Sequence, residues 1–245
     1  PRSRGLGDVY KRQDFEKVRF GVIPTGSGND LARGLSLSKD PKNGAIHILN
    51  AMKKSREDTW CMDLGEVNFG EKKRLFAISA GIGLDALVCK KALKSTIKDI
   101  LNKIRLGKLT YLVLTVQSLF TMQTADAEIF FDREEGLQKK IMIFTAAMNF
   151  KAEGGGVPMA PAASACDGKL SFCEAAGIPK WRTFLCLPFL VAAKHTSIHG
   201  FSVTDAKDCT IRLSRPLVVH ADGEYCGEVT EVHFHCLPGK LRVLK

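Results

Sequence analysis

The sequence predicts an α/β opening followed by a mainly β domain with inserted helices. Near the start, an apolar strand over 17–23 runs into the glycine-rich turn PTGSGND and then into a helix that begins near Asn29. Strand, glycine turn and helix in this order are typical of an α/β unit. After residue 55 the chain turns to many short strand-like runs, which are typical of a β-rich domain.

The remaining elements follow from periodicity and from turn residues. A second helix is expected over 41–54, and a helical block over 84–122 that is broken at Ser95 and Gly107. The helix predicted over 179–194 is kinked at Pro188, and because it is apolar on all sides we expect it to be buried rather than to lie on a membrane. Strands are expected over 59–67, 74–79, 125–131, 140–148, 170–175, 200–203, 209–213, 217–220, 228–234 and 241–244.

Composition narrows the class of partner. The chain has 245 residues, 45% of them hydrophobic, and a net charge of +10, which favours anionic partners such as nucleotides or anionic membranes. We do not expect nucleic acid as a partner, because no basic cluster is interleaved with aromatic residues. The 8 cysteines include no C-x-x-C pair and read as buried free thiols, which predicts a cytoplasmic compartment. No apolar run is long enough to predict a transmembrane helix.

The first 13 residues differ from the rest. They are rich in arginine and lysine, lack apolar periodicity, and resemble a translated adapter scar, so we exclude 1–13 from the fold as a non-native sequence artefact. We expect the native protein to begin further upstream.

The segment PTGSGNDLAR over 24–33 has the chemistry of a phosphate cradle. Its glycines allow the backbone to approach a phosphate closely, Thr25 and Ser27 supply hydroxyl groups, and the following helix directs free N–H groups towards the same place. The alternative is an ordinary helix start with Asn29 or Asp30 as the N-cap. The segment is neither a P-loop nor a G-x-G-x-x-G fingerprint.

A second candidate is Asp222-Gly223-Glu224, which places two carboxylates on a tight turn at the end of a strand. A carboxylate at such a turn is able to accept the proton of a reacting hydroxyl group. The alternative is an exposed hairpin turn, because Asp-Gly is a common turn pair.

Together, the motifs resemble the diacylglycerol kinase catalytic domain family, which includes bacterial YegS-like lipid kinases and sphingosine kinases. The resemblance covers about residues 17–245. It rests on segments that occur in the family's order: PTGSGNDLAR, FAISAGIGLDALV, GKLTYL, Asn149 with Gly154-Gly155-Gly156, Pro161-Ala162, Asp167-Gly168, and Asp222-Gly223-Glu224.

The resemblance implies an ATP-dependent kinase that uses Mg²⁺ to phosphorylate a lipid hydroxyl group. It implies that Asp222 is the general base and that Glu224 supports it. Asp30 and Asp63 would join a carboxylate–water–Mg²⁺ network, and Arg33 would steer anionic lipid or phosphate. The implied nucleotide-binding residues are Thr25, Gly26, Ser27, Gly28, Asn29 and Asp30.

The resemblance also implies a second, structural Mg²⁺ bound by Ser164, Asp167 and the carbonyl group of Lys169, with a plain hairpin loop as the alternative. The family's upstream Gly-Gly-Asp-Gly motif is absent, which fits a truncation before the first strand and predicts that the fragment is nearly inactive. Ile78 stands where the family often has Asn.

The implied organisation is a truncated α/β nucleotide-binding domain of the NAD-kinase and diacylglycerol-kinase type, over 14–57, and a sandwich-like lipid-binding domain over 58–238. A last strand over 239–245 is expected to return to the first domain. Expected partners are a nucleotide and a lipid at the inner face of the membrane, with peripheral membrane contact; a homodimer stays open. The alternatives are a non-catalytic lipid- or nucleotide-binding module and an NAD-kinase-like enzyme.

Overall fold

A computed structural model describes residues 18–26, 28–53, 59–94, 107–132 and 136–244. The strands in this part of the chain are β1 (Arg19–Phe20), β2 (Trp60–Phe69), β3 (Lys72–Phe76), β4 (Ser79–Gly83), β5 (Ala125–Phe131), β6 (Leu137–Met142), β7 (Phe144–Met148), β8 (Leu170–Ala175), β9 (Phe201–Ala206), β10 (Asp208–Ala221) and β11 (Glu224–Val243). The helices are α1 (Asp30–Gly34), α2 (Pro41–Met52), α3 (Leu84–Lys94), α4 (Gly107–Thr121) and α5 (Lys180–Val191).

The strands form one hydrogen-bonded sheet that folds over on itself. The strand order is β3-β2-β11-β10-β4-β7-β8-β9, with β5 and β6 continuing from the first part of β10. Phe172 on β8 meets Phe131 on β5 and Phe234 on β11, at ring-centroid distances of 5.4 and 5.9 Å, although these strands are not paired with β8. The two halves therefore pack face to face, as in a sandwich, and this confirms the predicted fold class.

Helices α3, α4 and α5 cover the outer face of the part of the sheet that contains β7 and β8. Strands β7 and β8 are buried at every position, because they lie between the sandwich core and this helical layer. Such strands read as continuous apolar runs rather than as alternating ones.

The N-terminal elements pack against the end of the chain. Phe20 pairs in parallel with Val243, and the N–H group of Leu244 donates to the carbonyl group of Phe20 at 2.8 Å. Leu35 is buried with Met62 in a cluster that also contains this C-terminal strand end. Helix α2 begins after Asp40, whose carboxylate caps it by accepting from a backbone N–H group.

Two pairs of predicted strands are single long strands. The predicted strands 209–213 and 217–220 both lie in β10, and 228–234 and 241–244 both lie in β11. Register shifts occur where turns were expected, around 213–216 in β10 and 238–240 in β11. A bulge inserts extra residues and bends a strand without reversing it, so turn-like residues there do not end the strand.

At two other places, one predicted strand is divided between two strands of the structure. The predicted strand 140–148 is divided into β6 and β7 at Ile143, and the run 74–79 is divided between β3 and β4. Between β3 and β4, the backbone N–H groups of residues 77 and 78 donate to the side chain of Asp222 instead of to a neighbouring strand. The predicted break of the helical block at Ser95 lies outside the described residues.

The prediction that the 179–194 helix is buried on all sides is wrong. Helix α5 buries Thr183, Cys186 and Leu190 but exposes most of its other large apolar side chains, including Trp181 and Leu185. The prediction of buried thiols holds for only four of the eight cysteines, since Cys61 and Cys166 are exposed and Cys89 and Cys226 are only partly buried, although all eight are free. Among the described helices, none has the length and apolarity needed to cross a bilayer.

Candidate active site

Asp222 lies in the turn that joins β10 to β11, and its carboxylate is held by the backbone. Its Oδ2 atom accepts from the N–H group of Ala77 at 2.8 Å, and its Oδ1 atom accepts from Ile78 at 2.8 Å and from Ser79 at 3.2 Å. The N–H group of Asp222 donates to the carbonyl group of Ser79 at 2.8 Å, which closes the contact from the other side. The position of this carboxylate is therefore fixed by the 77–79 segment.

Opposing effects act on the basicity of Asp222. Burial raises its pKa, whereas the three N–H donors and His220 lower it, and the net effect is an increase. A carboxylate offers about four acceptor positions, of which the backbone fills three here. The fourth position, on Oδ2, has no hydrogen-bond donor among the described residues.

Glu224, the second carboxylate of this turn, contacts β3. It is half exposed and forms an ion pair with Arg74. The support that the resemblance assigns to Glu224 stays a prediction.

His220 and Asp85 lie directly beside the Asp222 turn and were missed by the sequence reasoning. His220 Nε2 lies 3.1 Å from Asp85 Oδ2, and the two side chains are 2% and 9% exposed. Burial lowers the pKa of His220, but the hydrogen bond to Asp85 and the nearby carboxylates outweigh it and raise the pKa. The FAISAGIGLDALV motif contained Asp85, but nothing in the sequence paired it with His220.

Glu153 is a further acidic residue that the sequence reasoning did not select. Burial raises its pKa to about 7; His220 opposes this increase, and Asp85 adds to it. A hydrogen bond from the hydroxyl group of Ser79 also opposes the increase in the pKa of Glu153. The Oε2 atom of Glu153 has no hydrogen-bond partner among the described residues. Asp30 also adds to the increase, and the segment that carries Glu153 reaches Asp30 two residues further on, at Gly155.

Asp30 and Arg33 join the predicted nucleotide loop to the glycine turn at 154–156. Asp30 Oδ2 accepts from the N–H group of Gly155 at 3.0 Å, and the same carboxylate pairs with Arg33. Arg33 donates to the carbonyl group of Gly28 at 3.0 Å, and its guanidinium lies against Gly156, where a β-carbon would approach it to 3.3 Å. The two glycine-rich segments therefore flank one ion pair.

The predicted phosphate loop is closed by Asn29. Its Oδ1 atom accepts from the N–H group of Gly26 at 2.9 Å, and its backbone is left-handed, with φ of 51°. Asn29 occupies the N-cap position of α1, but its side chain makes no capping bond to the helix. Thr25 and Gly28 belong to the same loop, and Ser27 lies outside the described residues.

Asp63 is placed in a different set of contacts. Its carboxylate accepts from the N–H groups of Gly168 at 2.8 Å and Gly239 at 2.7 Å. Its carbonyl group accepts from the amide of Asn149, which also donates to the carbonyl group of Ala77. Asp63 thus ties together two turns, and its share in a network with Asp30 stays a prediction.

The residues of the predicted structural magnesium site lie in one loop next to Asp63. Asp167 Oδ1 accepts from the N–H group of Lys169 at 3.0 Å, and Ser164 Oγ lies 3.5 Å from the thiol of Cys166. A carboxylate, a hydroxyl group and a carbonyl group within six residues form an all-oxygen donor set, which fits Mg²⁺.

A cavity of about 360 Å³ opens beside Asp30 and Arg33. It lies between α1, the segment 150–152 and the segment 163–166. This volume falls in the usual range for small-molecule sites.

Comparison with known proteins decides the family. Residues 78–245 match the family model of the YegS C-terminal NAD kinase beta sandwich-like domain, and residues 6–62 match that of the diacylglycerol kinase catalytic domain. The chain belongs to the YegS-type diacylglycerol kinase family.

Similar proteins agree with this family membership. The Bacillus subtilis protein named "Putative lipid kinase YtlR" is 27% identical over 94% of this chain and 74% of its own length. A diacylglycerol kinase of Mycobacterium tuberculosis is 26% identical over 93% of this chain and 69% of its own length. A crystal structure of a "putative diacylglycerol kinase" from Bacillus anthracis covers 92% of this chain and 69% of its own, with 21% identity and a TM-score of 0.68, and shares the fold.

Proposed function

We propose that this protein is an ATP-dependent lipid kinase that transfers the γ-phosphoryl group to a lipid hydroxyl group. The observation that supports this proposal most directly is the Asp222 carboxylate, which is fixed by three backbone N–H groups and keeps one acceptor position. Glu153 has a carboxylate oxygen within 4.8 Å of a ring nitrogen of His220, two residues before Asp222, and Gly155, two residues after Glu153, donates to Asp30. These contacts support the assignment of Asp222 and the predicted nucleotide loop to one site.

Asp222 acts in this proposal as the general base. The lipid hydroxyl group donates to the remaining position on Oδ2, and its proton passes to Asp222 as the oxygen attacks the phosphorus atom. Burial helps because it raises the pKa of Asp222, and a more basic carboxylate accepts the proton more readily.

The nucleotide is assigned to the Thr25–Asp30 loop and Mg²⁺ to Asp30. Asp30 is mostly buried and bonded to Gly155, and Glu153 Oε2, two residues before Gly155, is a buried carboxylate oxygen without a partner among the described residues, which fits a cation. When bound, Mg²⁺ would neutralise charge on the transferring phosphate. Arg33 holds the loop against Gly156 and keeps Asp30 in place.

We expect the protein to reach its lipid substrate at a membrane surface. Helices α4 and α5 form an exposed apolar face that suits contact with such a surface. Trp181 and Leu185 on α5 are 60% and 56% exposed, and Phe184 packs against the exposed Phe120 of α4 with ring centroids 5.9 Å apart. Arg182 adds positive charge to this side of α5. An exposed apolar face with basic residues favours peripheral binding to an anionic membrane.

The membrane contact is tested by sedimentation with vesicles of phosphatidylcholine and phosphatidylglycerol. Leu185→Glu places a charge in the apolar face and is expected to lower vesicle binding at least about tenfold. Leu137→Glu is the matched control, because Leu137 is similarly exposed on β6. Equal loss in both variants, or no loss in Leu185→Glu, would refute this surface.

The kinase proposal is tested in the native protein with ATP, Mg²⁺ and vesicles containing diacylglycerol. Asp222→Asn keeps the size of the side chain but cannot accept the proton, so turnover is expected to fall on the order of 100-fold or more while ATP binding persists. Asp208→Asn, at the other end of β10, is the control. Undiminished turnover in Asp222→Asn would exclude Asp222 as the base.

The same assay separates the alternatives. A wild-type protein that binds ATP and lipid without turnover favours the binding module, and phosphorylation of NAD instead of lipid favours the NAD-kinase-like enzyme.

A further inference from the structure

A buried hydrogen-bonded pair, His220 and Asp85, stands behind the turn that carries Asp222. His220 is two residues before Asp222 on β10, and Asp85 is in the first turn of α3. Both side chains are more than nine-tenths buried. A buried carboxylate and imidazole are costly to desolvate, so their pairing calls for a specific function or a strong structural reason.

The strand next to this pair is built to leave room for it. Gly81 on β4 is the register partner of His220. A β-carbon on Gly81 would lie 1.8 Å from Asp85 Oδ2 and 3.0 Å from His220 Nε2. The glycine is therefore required for space beside the hydrogen bond.

The other ring nitrogen of His220 reaches the turn itself. The N–H group of Gly223 donates to His220 Nδ1 at 3.3 Å. A neutral imidazole has one donor and one acceptor nitrogen, so an acceptor at Nδ1 requires the hydrogen on Nε2, where it is donated to Asp85. Asp85 thus fixes the tautomer that allows His220 to hold Gly223.

We propose that Asp85 and His220 are positioning residues that hold the Asp222–Gly223 turn in register with its backbone cradle. This inference rests on the proposed role of Asp222 as the base, because the pair itself is given no contact with substrate. The chain of contacts runs from Asp85 through His220 to Gly223, and Asp222 is the next residue.

A metal centre is the competing use of this cluster. Asp85, Glu153 and His220 offer ligand atoms that all lie within 4.8 Å of one another. A metal on Nε2 would require the hydrogen on Nδ1, where it would face the N–H group of Gly223. The contact with Gly223 therefore favours the hydrogen-bonded pair.

The tautomer is tested directly by nitrogen NMR of the ¹⁵N-histidine-labelled native protein, with the His220 signals assigned by their loss in His220→Asn. The expected result is a hydrogen on Nε2 in the wild type and a mixture of tautomers in Asp85→Asn. A hydrogen on Nδ1 in the wild type would overturn the inference. So would a shift of the His220 signals on titration with Zn²⁺ that shows direct coordination.

Two substitutions of His220 separate its two contacts. In His220→Asn the side-chain oxygen reaches the place of Nδ1 and keeps the Gly223 contact, whereas the amide of His220→Gln reaches the place of Nε2 and keeps only Asp85. We expect kcat to stay within about threefold of wild type in His220→Asn and to fall on the order of 10- to 100-fold in His220→Gln, with an unchanged KM for lipid. His235→Gln, a surface histidine that pairs with Asp208, is the control.

The double variant with Asp222→Asn shows whether His220 acts through Asp222. If it does, His220→Gln causes no further loss in that background, because both changes disable the same step. An active wild type with equal kcat in all His220 variants would overturn the inference. A wild type without kinase activity on any acceptor would instead overturn the proposed function, and the NMR result would still decide the tautomer.

Discussion

Glu153→Gln should remove a pH dependence of stability that the folded protein owes to one buried carboxyl group. In the folded state the pKa of Glu153 is raised from 4.5 to about 7, chiefly by burial. Between pH 4.5 and about 7, Glu153 therefore keeps its proton in the folded state but has largely lost it in the unfolded chain. The contribution of Glu153 to stability is fully present below pH 4.5 and is lost as the pH rises through about 7.

The size of this effect follows from the two pKa values. At roughly 1.4 kcal/mol for each pH unit, a pKa that rises from 4.5 to about 7 corresponds to at most about 3–4 kcal/mol. Glutamine has the same length, carries no charge at any pH, and keeps an oxygen that accepts from Ser79. The variant should therefore nearly match the wild type near pH 4.5 and exceed its free energy of unfolding by up to about 3–4 kcal/mol at pH 8.

The assay is urea unfolding between pH 4.5 and 8, followed by circular dichroism, with a chelator present to remove divalent cations. Glu231→Gln is the matched control, because Glu231 is exposed and paired with Arg212 on the surface. Its stability difference from wild type should stay nearly constant with pH. A Glu153→Gln difference that is independent of pH, or that grows towards low pH, would refute the reasoning.

Three further predictions concern single contacts. Gly65→Ala should destabilise the fold by about 1–3 kcal/mol in urea unfolding, because its β-carbon would lie 1.9 Å from the ring of the fully buried Phe76; an unchanged midpoint would contradict this. Arg33→Lys should weaken ATP binding several-fold in a fluorescence titration, because an ammonium group cannot replace the guanidinium's simultaneous contacts with a carboxylate and a carbonyl group; equal affinity would show that the ion pair is dispensable. A maleimide reagent should modify the exposed Cys166 well before Cys173, which is buried and has a raised pKa, as peptide mapping would show; simultaneous modification would contradict the burial.

Much of the fold was predictable because local patterns carry it. The strand-turn-helix opening and the β-rich remainder were read from periodicity and turn residues alone, and the fold class is confirmed. The predicted strand ends at 213 and 234 failed, because the chain continues through register shifts inside the long strands β10 and β11. Whether the chain bends or reverses at such a point depends on the neighbouring strands, which periodicity does not show.

The exposure of helix α5 was mispredicted for a similar reason. Its sequence is apolar on all sides, and composition favours burial for such a helix. Burial needs neighbours, however, and the described part of the chain covers only the face of Thr183 and Leu190. Hydrophobicity gives the tendency of a surface to be covered, and the fold decides which part of it is covered.

The candidate site was only partly predictable, because three of its residues carry no sequence signal that links them to one another. Asp85, Glu153 and His220 come from three segments separated by more than sixty residues each, and none stands in a local pattern that points to the others. The β4–β10 register brings Gly81 opposite His220, and only this pairing opens the space that Asp85 fills.

The position of Asp222 shows how the sandwich serves the proposed chemistry. A carboxylate left in water would be mobile and only weakly basic, and one held by three N–H groups alone would be a poorer base still. In this fold the turn after β10 carries Asp222 into a partly buried site, and burial more than offsets the effect of the three donors on its pKa. The same cradle therefore fixes the carboxylate and leaves it basic enough to accept a proton, which neither burial nor hydrogen bonding would achieve separately.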